Sequence, residues 1–499
     1  MNPTLVSHNP NHPVHIVIVS NRGPFSFSMQ DGSVAAERGA GGLVTAISAV
    51  ARQHDILWIS CALSKGDRDW IAHTGGGVQS VEEMRIRLFD PAPEQYQAYY
   101  NVISNPLLWF VQHQLHDTPR QPILDAKVWH AWENGYRVVN RQLAEVTAET
   151  IRSLDGTIIV MPQDYHLYLF PQYLRELLAG DPANERVTIQ SFLHIPFPGA
   201  DAWRVLPQAM RRELLEGMLH ADRLGFQTER DTHRFLQTVV DNLPRVRVVR
   251  PWRALEIDRR IVHAAPHPIS IDAAALEARL QSPDVQTYVR QIRNRHQGRK
   301  LLLRIDRVEP SKNVLRGFIA FRNLLQAYPE YQGQIDMLAL LVPSRGEVRE
   351  YKTYLRHLMA LAGEINATLG SSEWEPIRVV LGNNYDRALA ALSLYDVLLV
   401  NPLADGMNLV AKEGAVLNRR DGVLILSEEA GAAEEFGDLP LLVSPYDVYG
   451  TREAIRQALH MPADERQRRA GALAEQVRAH DIHRWFARQL EQSLQTLER

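Results

Sequence analysis

Only one of the 499 residues is a cysteine, Cys61, which excludes an intrachain disulfide and a cysteine-rich zinc site and suits a reducing cytoplasm. Charge of one sign is also lacking. The 55 lysines and arginines stand against 58 acidic residues, a net charge of −3, so there is no general positive field for nucleic acid, and any anion must be held by a local pocket. No apolar run approaches the roughly 20 residues needed to cross a bilayer, so no membrane partner is expected. The opening MNPTLVSHNPNHPVH has neither the basic flank nor the apolar stretch of a secretion signal, and the expected localisation is cytoplasmic. Internal repeats, low-complexity tracts and clusters with metal-ligand spacing are not evident either.

What is present is an ordinary globular composition, 45% hydrophobic and 23% charged, in a chain long enough for two large domains. Short apolar, β-branched runs alternate with longer helical patterns, the signature of βα units around parallel sheets. His15–Ser20, Thr157–Met161, Thr188–Leu193 and Arg223–Phe226 read as buried strands, as do Lys300–Arg304, Met337–Val342, Arg378–Leu381, Val397–Val400, Val423–Leu426 and Leu441–Val443. Trp203–Leu219 and Glu347–Ala367 carry apolar residues at helical spacing. Two prolines in Ala265-Pro266-His267-Pro268 interrupt regular structure just before a second run of βα units. The expected domains are 1–265, 266–479, and an amphipathic helix over 480–499 that crosses back to the first. Two doubly wound sheets facing each other would put strand ends on both sides of one cleft, where such folds bind ligands.

Several loops could carry chemistry. Arg307 and Lys312 lie five positions apart in a βα loop, a planar fork and a mobile point charge suited to two phosphates, although a solvated surface pair would read the same way. Asp405-Gly406-Met407-Asn408-Leu409-Val410-Ala411-Lys412-Glu413 follows a buried strand and leads into a helix. Its amides and helix dipole would face an anion, Gly406 permits close approach, and Glu413 could accept hydrogen bonds from a ribose diol. The bland alternative is a helix cap without a ligand. Near the N-terminus, Arg22 ends the first strand, and Gly41 and Gly42 form a glycine turn that departs from the dinucleotide fingerprint. Asp164 and His194 each sit just past a buried strand, placed to orient sugar hydroxyls or handle a proton, or to serve as hydrogen-bonded core groups.

Taken together, SNRGP, a GGL turn, YYNxxSNxxLW at Tyr99–Trp109, QDYHL, FLHIPFP, LGFQTE, SRGEV and DGMNLVAKE occur in the order found in trehalose-6-phosphate synthases, and the chain resembles that family over about residues 14 to 490. The resemblance implies the GT-B fold, two facing Rossmann-like domains with an interdomain active-site cleft, and transfer of glucose from UDP-glucose to glucose 6-phosphate with retention. It implies that Arg307 and Lys312 bind the donor diphosphate and help it leave, with Gly41 and Gly42 beside the phosphates. Asp405, Gly406, Met407, Asn408, Leu409 and Val410 would hold the donor glucose, Glu413 the ribose, and His194 the donor sugar. The acceptor would be gripped by Arg22 and Arg345, with Tyr100, Trp109 and Asp164 completing its pocket. Neither a metal nor a cofactor belongs to this front-face scheme, and no protein nucleophile does.

Three positions depart from the family's pattern: Cys61 stands where a tryptophan is usual, Gln163 where a histidine is usual, and Val308–Asn313 reads VEPSKN in place of LDYSKG. The donor cations survive these changes, whereas the acceptor is less firmly specified. Competing readings are a relative that uses glycerol 3-phosphate or a cyclitol phosphate, a catalytically silent sugar-phosphate sensor, and a pyridoxal-dependent phosphorylase, for whose lysine no motif is present. Nucleotide base preference and oligomeric state are not legible, and a homo-oligomer is left open.

Overall fold

The computed structural model describes residues 13–30, 33–39, 42–51, 54–249, 253–296, 298–345 and 348–497. The chain divides into two compact units: the described residues up to His267 together with those from Ile482 onward, and Pro268–Asp481. Each is an α/β, Rossmann-like unit built on a largely parallel sheet.

In the first unit the strands Val14–Arg22, Ile56–Cys61 and Thr157–Pro162 are almost wholly buried, as expected where helices cover both faces of a parallel sheet. Across the 10-stranded sheet the order is Arg247–Val249, Ala254–Ile257, Arg260–Pro266, Arg223–Phe226, Val187–Phe192, Thr157–Pro162, Val14–Arg22, Ile56–Cys61, Met84–Phe89 and Gln79–Val81. Pairing is parallel from Arg260–Pro266 through Met84–Phe89, with antiparallel additions at both edges. The chain starts in the middle, builds outward to Met84–Phe89, and then returns to the other side of Val14–Arg22. The order therefore reverses between Val14–Arg22 and Thr157–Pro162, and a crevice for ligands opens at the strand ends of such a switch point.

A separate hairpin, Phe25–Gln30 with Ser33–Arg38, is clamped to the helix Lys65–Thr74. Phe27 stacks on Trp70 at 4.4 Å between ring centres, and the Asp67 carboxylate accepts the Phe27 amide at 3.0 Å while completing a capping box with Ser64. The close approach requires Gly66, since a Cβ there would lie 1.8 Å from the Phe27 carbonyl oxygen. The helix Ile482–Leu497 lies on this unit. Trp485 Nε1 donates to the His267 carbonyl at 3.0 Å, its ring meets Phe192 edge-on at 5.3 Å, and Arg223 reaches Gln492 Oε1 at 2.6 Å.

The second unit has a six-stranded, all-parallel sheet in the order Ile377–Leu381, Ile335–Val342, Lys300–Arg307, Val397–Val400, Val423–Ser427 and Leu441–Val443. Its switch point lies between Lys300–Arg307 and Val397–Val400. Both strands feed helices, Val314–Ala327 and Leu409–Leu417.

One local expectation differs from what is observed. Trp203–Leu219 is not one helix: Pro207, which lacks an amide proton, separates a 3₁₀ segment, Ala200–Val205, from the α-helix Gln208–Met218. Tyr99–Leu108 is a π-helix that contains Pro106, a conformation frequent at functional sites. Among the described residues, no helix is long and apolar enough to cross a membrane.

Candidate active site

In the second unit the framework of the site is Arg304, which sits in the middle of the strand Lys300–Arg307 with no exposed surface. Its guanidinium donates to Asp306 Oδ2 at 2.7 Å, Asn401 Oδ1 at 2.7 Å and the Lys312 carbonyl at 2.6 Å, tying the loop after its own strand to the loop after the neighbouring strand. Gly317 leaves room for it, because a Cβ there would lie 2.1 Å from Arg304 Nη1. A cation in the middle of an apolar run, KLLLRIDR, was a visible signal, yet Arg304 was not singled out in the sequence.

The loop held in this way gathers charge around Glu309, which has no exposed surface. Its Oε1 accepts Ser344 Oγ at 3.0 Å and lies 3.0 Å from Arg307 Nη1 and 3.8 Å from Arg345 Nη1. Burial pushes the Glu309 carboxyl up, but the nearby Arg307, Arg345 and Lys312 charges and the Ser344 hydrogen bond outweigh it and hold it at about 2. Arg307 is half exposed, whereas Arg345 is almost covered, with its guanidinium 5.4 Å over the Tyr351 ring and donating to that ring's hydroxyl. Arg345 adopts φ 44°, a left-handed backbone at the turn after the strand Ile335–Val342. Its covered guanidinium and strained backbone hold it in a fixed position, whereas the half-exposed Arg307 can turn toward a ligand.

Lys312 reaches across to Asp405, whose Oδ2 also accepts Asn408 Nδ2 at 2.9 Å. The backbone of this segment is pinned from behind, with the Asp405 carbonyl accepting the Gly431 amide at 3.0 Å and the Met407 carbonyl accepting the Ala432 amide at 2.9 Å. Gly406 is buried, and the Met407 side chain belongs to the core. Asn408, at φ 75°, turns the chain into the helix Leu409–Leu417, and its side-chain oxygen takes the Ala411 amide at 3.1 Å. The amides of Leu409 and Val410 open the helix without acceptors inside it, the arrangement that attracts an anion.

One turn on, Glu413 is half-buried beside Tyr385. Burial pushes its carboxyl up to about 7, against the pull of the Tyr385 hydrogen bond. Its neighbour Lys412 is fully buried and anchors the helix, with Nζ on the Ile269 carbonyl at 2.8 Å and on Glu435 at 2.6 Å. Tyr385 was not foreseen, since it comes from a different helix, Tyr385–Leu392.

In the first unit, Arg22, Cys61, Asp164 and His194 fall at the ends of adjacent strands. Asp164 has φ 73°, and its Oδ1 accepts the His194 amide at 3.2 Å. Burial lowers His194 to about 3, so its imidazole is neutral at physiological pH. Its Nε2 lies 2.9 Å from Gln163 Oε1. Arg22 is exposed, and Ser20 Oγ donates to its carbonyl at 2.7 Å while accepting Trp58 Nε1 at 2.7 Å. Tyr100 forms a parallel stack with Tyr96 at 5.5 Å and His166 at 5.9 Å, and Tyr96 donates to Asn21 Oδ1 at 3.2 Å. The i, i+4 pair Tyr96 and Tyr100 was a readable signal for this platform. Trp109 is in the core, stacked on His113 at 3.8 Å. Cys61 is buried with its thiol pushed far up by burial, and so is unreactive. Gly42 opens the helix Gly42–Val50, and Gly41 lies outside the described residues.

The second unit thus offers clustered cations and a helix start for a diphosphate, with a carboxylate for a diol. The first offers stacked rings and an exposed guanidinium, chemistry suited to a sugar phosphate.

Comparison with known proteins points the same way. The profile of Glycosyltransferase family 20 matches residues 14–496. The chain is 35% identical over 483 residues to a trehalose-6-phosphate synthase of Mycobacterium sp. (strain JLS), covering 94% of each. It is 34% identical over 487 residues to a bifunctional trehalose-6-phosphate synthase/phosphatase of Thermoproteus tenax, covering 95% of this chain but spanning only 62% of that relative's length. Among solved structures, an α,α-trehalose-phosphate synthase from Burkholderia xenovorans in complex with glucose-6-phosphate superposes with a TM-score of 0.83 at 28% identity, covering 96% of this chain and 100% of the other. A trehalose-6-phosphate protein from E. coli bound with UDP-2-fluoro glucose gives 0.82 at 28% identity, covering 97% and 99%.

Proposed function

The chain belongs to glycosyltransferase family 20, and from that premise we propose that it transfers glucose from UDP-glucose to glucose 6-phosphate, with retention, yielding α,α-trehalose 6-phosphate and UDP. The observation that carries this reading is the second unit's switch point. There Lys312 and the start of the helix Leu409–Leu417 meet at Asp405, and Arg307 stands on Glu309 in the same loop as Lys312, the cations and helix start that a nucleoside diphosphate requires.

In this reading Arg307 and Lys312 neutralise the diphosphate as the bond between its oxygen and the sugar's anomeric carbon breaks. Such electrostatic stabilisation of a leaving group is commonly the largest single contribution to catalysis. The acceptor hydroxyl forms the new bond on the same face and passes its proton to the departing phosphate oxygen, so no protein nucleophile is needed. Lys312 must leave Asp405 for the phosphate, which frees the Asp405 carboxylate for sugar hydroxyls. Leu409 and Val410 supply backbone amides, Gly406, Met407 and Asn408 shape the loop, and Glu413 takes the ribose diol. Neutral His194 contacts the donor sugar. Acceptor duties are assigned to Arg22, Tyr100, Trp109 and Asp164 in the first unit and to Arg345 in the second. A cytoplasmic setting belongs to the same reading and is supported by the single buried thiol.

Cys61 favours a second reading, in which another phosphorylated acceptor is used. A small thiol stands at the end of the strand beside Arg22, where the family's larger indole is expected. One experiment tests both readings: UDP release from UDP-, GDP- and ADP-glucose is measured against glucose 6-phosphate and glycerol 3-phosphate, with the product's anomeric configuration read by NMR. The proposal predicts an α,α-linked disaccharide phosphate from UDP-glucose and glucose 6-phosphate. No UDP release from that pair would refute it.

A further inference from the structure

His194 is held by a neighbour whose own orientation is fixed. Gln163 is 1% exposed, and its side-chain amide spans two partners. One end lies 2.9 Å from the Met161 carbonyl oxygen and the other 2.9 Å from His194 Nε2. A carbonyl only accepts, so the end facing Met161 is the NH₂, and the end facing His194 is the oxygen. An oxygen can meet Nε2 only if that nitrogen carries the proton. We propose that Gln163 is a positioning residue that fixes His194 as the Nε2–H tautomer, so that Nδ1 presents a lone pair to a hydroxyl of the bound donor sugar.

The surroundings support this. His194 takes the Asp164 carboxylate at its backbone amide. Gln227 donates to its carbonyl at 3.4 Å, and the Phe192 ring meets the imidazole edge-on at 4.6 Å. Asp164 is the charged group in contact with the residue among these neighbours, and it leaves the ring's protonation to burial, which favours the neutral form. A histidine at position 163 could donate or accept, and would leave the tautomer open. Glutamine, pinned by Met161, does not.

The role of Nδ1 rests on the glucosyltransferase reading; the tautomer does not, so the two fail separately. The test is ¹⁵N NMR of the histidine rings in the whole, unliganded protein, with the His194 signals identified by their loss in His194→Asn. The expected result is a neutral Nε2–H ring at pH 7 that turns into a tautomer mixture in Gln163→Leu, where kcat/KM falls about tenfold. Should that variant not fold, the isosteric Gln163→Glu serves. Its carboxylate accepts the same proton and favours the imidazolium, so kcat/KM acquires a second acidic limb, beyond the one that Glu413 gives the parent protein. An Nδ1–H or charged ring in the parent protein, an unchanged tautomer with unchanged kcat/KM in Gln163→Leu, or no new limb in Gln163→Glu would overturn the proposal.

Discussion

Arg307 and Arg345, assigned to donor and acceptor respectively, share the buried Glu309 as counter-ion. Because the Arg307 guanidinium is half exposed, Arg307→Ala leaves the fold standing while kcat drops about 10²-fold or more, checked by steady-state rates beside an unchanged circular dichroism spectrum. Glu309, held at about 2, contributes stability above its unfolded pKa that is lost as pH falls toward 2. Removing the Arg307 charge raises that folded value, so acid unfolding of the variant begins at higher pH. Glu413 has the opposite sign. Its folded value of about 7 lies above the unfolded one, so its contribution is full below the ordinary carboxylate range and is lost as pH rises through 7. A ribose diol donates two charge-assisted hydrogen bonds to a carboxylate but weaker ones to the acid, so UDP binding measured by calorimetry tightens from pH 6 to 8, and Glu413→Gln flattens that dependence. The positions of Arg307, Lys312 and Asp405 at or after the ends of buried strands, and of Glu413 one turn into a helix, were legible from the apolar runs before them. Glu309 and Tyr385 were not, since nothing in Val308-Glu309-Pro310 says that the carboxyl turns inward, and Tyr385 approaches Glu413 from a separate helix.

At the scale of elements, the helix Leu409–Leu417 depends on how Asn408 starts it. Asn408 combines a left-handed backbone with a side-chain cap on Ala411 and a hydrogen bond to Asp405. Asn408→Ala loses the cap and the Asp405 hydrogen bond while keeping a Cβ in a left-handed backbone that alanine tolerates less well than asparagine, a destabilisation of about 2 kcal/mol in denaturant unfolding. Asn408→Gly keeps the turn and costs less, and both raise the donor KM by releasing Asp405. An equal loss in the two variants would mean that the backbone conformation carries no cost. This helix start was readable, as were the parallel strands, because β-branched runs buried on both faces leave a strong pattern. The π-helix Tyr99–Leu108 was not, since one residue added to a helical turn hardly alters apolar spacing. The strand pair Phe25–Gln30 and Ser33–Arg38 escaped because its antiparallel pairing lies outside the βα alternation, and its support, Asp67 and Trp70, is remote in sequence.

For the whole molecule, the first unit is discontinuous in sequence: its final helix, Ile482–Leu497, arrives after the second unit has been completed. Trp485 is a buried anchor of this helix, edge-on to Phe192 with its indole nitrogen on the His267 carbonyl, and Ser493 and Gln492 add polar contacts to Gln190 and Arg223. Trp485→Ala removes a buried indole and leaves a cavity against the strand Val187–Phe192, a cost of about 3–5 kcal/mol. Calorimetry assigns the loss. UDP stabilises only the folded unit that binds it, so the transition that UDP raises belongs to the second unit. In Trp485→Ala that transition stays in place while the other falls by about 10 °C. A matching fall in the UDP-shifted transition would mean that the two units unfold as one cooperative body, with the last helix supporting both.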